Sequence, residues 1–219
     1  MKAVIFDLDG TLADTAPDLI GATNAIAAAE GWPLLDPVAD RAVAGRGGRA
    51  LIGRAMLGAG LTDPDRVAAL IPEFLRLYEA RIADETRLFP GASECLDTLA
   101  AQGWALGICT NKPARLANIL LDRLGVADRF AAVLGADSLP VRKPDPLHFL
   151  ETARRIGADT ARSVLVGDTI TDRLTARAAG VPCILCRFGY AVEPLSELAA
   201  EAEIDCLSEA PAAAARLAA

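Results

Sequence analysis

Five short apolar runs alternate along this chain with stretches of helical spacing, and that alternation restricts the fold more than any other feature. The runs are AVIF (3–6), WALGIC (104–109), AAVLGA (131–136), SVLVG (163–167) and VPCILC (181–186). Between them lie Ala-, Leu- and Arg-rich stretches, among them 92–102, 113–124, 146–156 and 172–179. Strands alternating with helices imply an α/β fold built on a doubly wound, mostly parallel sheet. In such sheets the active site lies beyond the carboxyl ends of the strands, so the residues that follow each run carry the functional information.

Residues 15–84 break the pattern. They read as helices throughout, at roughly 16–30, 37–44, 49–59 and 64–83, with Gly-rich breaks at 45–48 and 58–60. The expected organisation is a core of residues 1–14 and 85–219 with a helical domain, 15–84, inserted after the first strand. The chain is expected to return to the core near Phe89-Pro90-Gly91 and to close with an Ala-rich helix at 210–219.

A chain of 219 residues with 53% hydrophobic content can bury a substantial core, which excludes a disordered chain. Its net charge is -7 and it has no basic block, so no nucleic-acid partner is expected. A surface of that sign repels anionic substrates unless local cations compensate. No run approaches the ~18 apolar residues that cross a bilayer, and no signal-peptide core is visible, so no membrane association and a cytoplasmic location are expected. Five cysteines, an odd number in a reducing compartment, argue against a disulfide framework. Cys183 and Cys186 have CxxC spacing, but three positions apart on a strand they point to opposite faces, which suits core packing and not a shared metal.

The first run delivers Asp7 and Asp9 in FDLDGT. Two residues apart, their side chains start on the same side, and paired carboxylates call for a cation, a shared proton or both. An ordinary turn explains the same residues, so this motif alone decides nothing. The second run delivers Thr110, Asn111 and Lys112: a hydroxyl, an amide and a cation, each able to hold phosphate oxygens. Pro113 then opens a helix, where Thr and Asn are also good caps. The third run leads to VRKPDP with Lys143. The chain has only three lysines (2, 112 and 143) against nineteen arginines, so a lysine at a strand's end suggests that a compact ammonium is needed there. The fourth run leads to GDTITD, with Asp168 as a third carboxylate and Asp172 at a helix start, either complementing the helix dipole or supporting the ligands from behind. Three oxygen ligands describe a Mg²⁺ site that also takes a phosphate oxygen. Four clusters at successive strand ends, in the order acid, hydroxyl, lysine, acid, are not an accident of composition.

In these motifs the chain resembles the haloacid-dehalogenase superfamily of phosphohydrolases, along its whole length. Within it the chain is similar to the bacterial phosphoglycolate phosphatases, through DLDGTLADTAPDL, VAGRGGRAL, TNKP and FGYA (188–191). The resemblance implies a Rossmann-like core with an inserted helical cap that closes over a small phosphorylated metabolite, in a monomer or homodimer. It implies Asp7 as nucleophile, Asp9 as general acid/base, and Thr110, Asn111 and Lys143 as phosphate-binding. Mg²⁺ would be held by Asp7, the backbone carbonyl of Asp9, and Asp168, with Asp172 behind them. Arg46, set among Gly45, Gly47 and Gly48, is the candidate for the substrate's carboxylate, Gly47 permitting close backbone approach. Arg173 stands where the family pattern suggests an apolar residue.

Other chemistries fit less well. A dehalogenase has no use for the acid at Asp9 or the set Lys143 and Asp168. A phosphonate hydrolase of the superfamily needs a cap lysine, and residues 15–84 contain none. Ser-His-Asp hydrolysis is disfavoured because His148 is the single histidine. A sugar-phosphate mutase and phosphatases for other small metabolites share the core motifs and stay open. A non-catalytic binding module would have no reason to keep the acids and Lys143.

Overall fold

The computed structural model describes residues 1–192 and 194–218. The chain divides into two units, one of Met1–Asp14 with Leu88–Ala219 and the other Thr15–Arg87. The strands are β1 (Ala3–Phe6), β2 (Ala13–Asp14), β3 (Arg87–Leu88), β4 (Ala105–Cys109), β5 (Ala132–Leu134), β6 (Ser163–Gly167), β7 (Cys183–Cys186) and β8 (Ala202–Ile204). The helices are α1 (Ala16–Glu30), α2 (Arg41–Ala44), α3 (Gly48–Gly58), α4 (Pro64–Ala80), α5 (Ala92–Ala101), α6 (Ala114–Arg123), α7 (Pro146–Ile156), α8 (Ile170–Ala179), α9 (Leu195–Leu198) and α10 (Ala210–Leu217).

Six strands form one sheet in the order β5-β4-β1-β6-β7-β8, and every neighbouring pair is parallel. β1 and β6 are buried along their whole length and apolar except for Ser163, as expected for parallel strands covered on both faces. Ile5, Leu165, Cys183 and Leu185 pack with Phe149, Ala153 and Ile156 of α7 and Ala176 of α8 in one continuous core cluster. Each large side chain buried in this way contributes roughly 1.5–3 kcal/mol. α5 and α10 pack against each other and against β4, β6 and β7.

α7 shows how local sequence sets these elements. Asp145 caps it by accepting from the Leu147 N–H at 2.9 Å, Pro146 begins it, and Gly157 ends it in the left-handed region. Its spacing buries His148, Phe149, Thr152, Ala153 and Ile156, while Glu151 pairs with Arg154 and Arg155 outside. β8 has no counterpart among the five apolar runs: AEI is a short edge strand with only Ile204 buried. All five cysteines are free, and Cys183 and Cys186 are core residues of β7.

The second unit carries the helices α1, α2, α3 and α4, and its return segment is tied to α1 by Asp18. That buried carboxylate accepts from the Thr86 N–H (2.8 Å) and hydroxyl (2.7 Å), from the Glu85 N–H, and from Nε of Arg81. Helix is expected from residue 37, but α2 begins only at Arg41. Asp36 accepts from the Val38 and Ala39 N–H groups and so holds a turn in place of the first helical turn. Among the described residues no helix is long and apolar enough to cross a membrane.

Candidate active site

Parallel pairing puts all the carboxyl ends of the sheet on one edge, and β1 lies between β4 on one side and β6 on the other. The chain runs from β1 outward through β4 to β5, then returns to β6, so the strand order reverses beside β1. A crevice at the carboxyl ends is expected at such a point. Register places Phe6 opposite Ile108 and Val166, so the residues following all three strands emerge together.

Lys143 is the centre of the cluster found there. Its Nζ lies 2.6 Å from Oδ1 of Asp172 and 3.0 Å from Oδ1 of Asp7, with 1% of its side chain exposed. Asp7, Asp168 and Asp172 each bring a carboxylate oxygen within 4.8 Å of the others. Burial raises the Asp7 carboxyl to about 6, with Asp172 and Asp9 repelling its charge and Lys143 opposing the rise. Asp168 is raised well above its ordinary value by burial and by the charges of Asp172 and Asp7, against hydrogen bonds from Tyr190 and Thr11. Burial also works against the charge on Lys143, but the attraction of Asp172 and Asp7 outweighs it and holds the ammonium above its ordinary range.

Asp168 and Asp172 differ in what holds them. Oδ1 of Asp168 accepts from the Thr11 hydroxyl at 2.8 Å, and Oδ2 accepts from the Tyr190 N–H at 2.7 Å. Thr11 is thus a long-range support, 157 positions from the carboxylate it holds. Oδ2 of Asp172 accepts from the Asp168 N–H, the Thr169 N–H and the Thr169 hydroxyl, while Oδ1 is taken by Lys143. Asp172 therefore caps α8 and anchors Lys143 at once. Two glycines make room for Asp168: a β-carbon at Gly189 would overlap Cβ of Asp168, and one at Gly10, whose φ is +82°, would overlap its Oδ2.

The second cluster follows β4. Thr110 is buried and its hydroxyl oxygen accepts from the Lys112 N–H at 3.2 Å. Asn111 is exposed, and its Nδ2 donates to the backbone carbonyl of Lys143 at 3.0 Å, linking the β4 loop to the lysine loop. Lys112 turns back toward β1, with Nζ 2.9 Å from Oδ1 of Asp9. The carboxylate of Asp9 thus stands with Lys112 while remaining near enough to repel the charge on Asp7. His148 lies behind this loop. Nε2–H donates to the Gly135 carbonyl (3.0 Å), leaving Nδ1 to accept from the Cys109 thiol (3.1 Å), while burial lowers the imidazole and pushes the Cys109 thiol up to about 12. The single histidine is a core brace.

Arg46 and Gly47 belong to the helical unit. Arg46 is exposed in the turn between α2 and α3, and Gly47, at φ +78°, precedes α3. Arg173 is explained by its neighbours, since its guanidinium pairs with Glu201 at 3.1 Å and donates to the Leu198 carbonyl.

The residues present fit a hard divalent cation. Oδ1 of Asp7 is buried and has no hydrogen-bond donor among the described residues, its approach to Lys143 being out of line. Repulsion among three buried carboxylates beside one lysine is what such an ion relieves, and an all-oxygen donor set suits it.

The sequence pattern of the haloacid dehalogenase-like hydrolases matches residues 1–180. A phosphoglycolate phosphatase of Caulobacter vibrioides is 44% identical over 211 residues, covering 96% of this chain and 89% of its own. One of Rhodospirillum rubrum is 40% identical over 209 residues, covering 93% and 87%. The crystal structure of a predicted phosphoglycolate phosphatase from Haemophilus somnus 129PT superposes with a TM-score of 0.87 at 28% identity, covering 97% of both chains.

Proposed function

Given that the chain belongs to the haloacid dehalogenase-like hydrolase family and is a phosphatase, we propose that it hydrolyses 2-phosphoglycolate to glycolate and phosphate through an aspartyl-phosphate on Asp7, with Mg²⁺ as cofactor. The observation that carries the chemistry is the position of Lys143, one ammonium beside both Asp7 and Asp172 at a cluster of three carboxylates. The substrate rests on the relatives, which are phosphoglycolate phosphatases over most of the chain.

Phosphate monoesters resist hydrolysis strongly enough that an enzyme must supply on the order of 20 kcal/mol. Asp7 attacks phosphorus, the phosphorus–ester oxygen bond breaks, and Asp9 gives its proton to the departing oxygen of glycolate. Asp9, now a carboxylate, takes a proton from water, whose oxygen attacks phosphorus and breaks the bond to Asp7. Phosphate leaves and both aspartates return to their starting states. Lys143 and Thr110 hold the phosphoryl oxygens, and Asn111 keeps the Lys143 loop in place. Asp7, Asp168 and the Asp9 carbonyl, with Asp172 behind them, would hold Mg²⁺, which would supply positive charge against the phosphate dianion. Arg46 and Gly47 are the proposed contacts to the organic part of the substrate.

The test is phosphate release from 2-phosphoglycolate by the native chain and by Asp7→Asn. Asp7→Asn should lose at least ~10³-fold in turnover. The native enzyme should stop in EDTA and recover with Mg²⁺. Unchanged turnover in Asp7→Asn would overturn the nucleophile, and full activity in EDTA would overturn the cofactor.

A further inference from the structure

The two lysines at the carboxyl edge of the sheet are employed differently. Lys143 is committed to Asp7 and Asp172. Lys112 stands with Asp9, its side chain 3% exposed while that of Asp9 is 20% exposed. The ammonium is therefore more deeply buried than the carboxylate it pairs with. We infer that Lys112 recognises a carboxylate carried one carbon away from the ester oxygen, and so selects 2-phosphoglycolate over esters that lack it. This inference rests on the reaction described above.

The argument is one of reach. A proton donor must come within roughly 2.6–3.2 Å of the oxygen it protonates. Asp9 therefore sits beside the ester oxygen, and Lys112 Nζ lies 2.9 Å from the same carboxylate. In 2-phosphoglycolate one methylene separates the ester oxygen from the carboxylate carbon. The bond count is that of a backbone N to its own residue's carbonyl oxygen, so a carboxylate oxygen lies roughly 3 Å from the ester oxygen. The substrate's carboxylate thus falls into the neighbourhood that Asp9 and Lys112 share.

Charge makes such a partner necessary. Asp7, Asp9, Asp168 and Asp172 crowd this edge, and the chain carries -7 overall. A second anion on the substrate would be rejected there without a cation beside it. Lys112 is the cation that stands beside Asp9, the proton donor to the ester oxygen. Its place in the loop is fixed, because its N–H donates to the Thr110 hydroxyl and its carbonyl accepts from the Ala136 N–H at 2.9 Å. The phosphate-holding and carboxylate-reading groups are thus two residues apart on one short loop.

The experiment compares kcat/KM for 2-phosphoglycolate and for ethyl phosphate, which has the same ester and no carboxylate, in the native enzyme, Lys112→Gln and Lys112→Arg. The ratio of the two values is independent of the folded fraction, so partial misfolding does not disturb it. Lys112→Gln should lower the ratio roughly tenfold or more, and Lys112→Arg should restore much of it. Inhibition by glycolate should weaken by a similar factor in Lys112→Gln, with inhibition by inorganic phosphate unchanged. Equal losses on both esters would overturn the inference, because Lys112 would then serve Asp9 alone. A native enzyme with no preference for 2-phosphoglycolate would overturn the substrate reading instead, and that result is read without any variant.

Discussion

Replacing Lys143 with methionine removes the one ammonium at the carboxylate cluster while roughly keeping volume. Nζ lies 2.6 Å from Asp172 and 3.0 Å from Asp7 and is almost fully buried. What remains is three carboxylates with oxygens within 4.8 Å of one another. At an effective dielectric of ~20, two unit charges at that separation repel by roughly 3 kcal/mol, and breaking a buried ion pair costs about 3–5 kcal/mol. For a chain of this size each kcal/mol moves the melting temperature by ~2–4 °C, so a drop of roughly 6–20 °C is expected. The assay is thermal unfolding followed by circular dichroism in EDTA, at pH 7.5 and pH 5. The sign of the pH effect follows from Asp7, already raised to about 6 from an ordinary 3.8 with Lys143 holding it down. A carboxyl raised on folding adds stability that is complete below its unfolded value and lost as pH rises through its folded value. Without Lys143 the folded value rises further, so the deficit is largest at pH 7.5 and shrinks toward pH 5. Adding Asp172→Asn should recover part of it. A deficit below ~1 kcal/mol, or one equal at both pH values, would refute the reasoning.

Other expectations can be checked with single variants. Gly189→Ala places a methyl group against Asp168; the carboxylate must move, and calorimetry should show Mg²⁺ affinity weakened by roughly tenfold or more. Arg46→Ala should raise KM for 2-phosphoglycolate far more than for p-nitrophenyl phosphate; equal effects would remove Arg46 from substrate recognition.

Much of the core and of the site is visible in the sequence because parallel strands buried on both faces must be apolar throughout. Runs such as AVIF and SVLVG therefore announce themselves, and the polar residues after them stand out. β8 lies at the sheet edge, where AEI carries no such run, and α2 starts late because Asp36 offers the backbone a competing turn. Asp7, Asp168 and Lys143 could be found because each directly follows a run or its loop. Their partners could not. Whether Thr11 bonds locally or to Asp168, and whether Lys112 faces solvent or Asp9, depends on which strands lie side by side. The sequence shows residue types at strand ends but not strand order. The FGYA stretch was legible as a motif, but the use of Tyr190 was not, because its contribution to Asp168 is a backbone N–H.

The support of Asp168 also bears on when the enzyme becomes active during its synthesis. Thr11 and Asp168 are 157 positions apart, and a second donor to Asp168 belongs to Tyr190. A ribosome releases β1 and Asp7 first and the residues that hold Asp168 near the end. Any nascent chain that stops short of Tyr190 carries Asp7 without a secured Asp168. The growing polypeptide therefore exposes an aspartate near its start long before the carboxylate cluster to which that residue belongs can assemble.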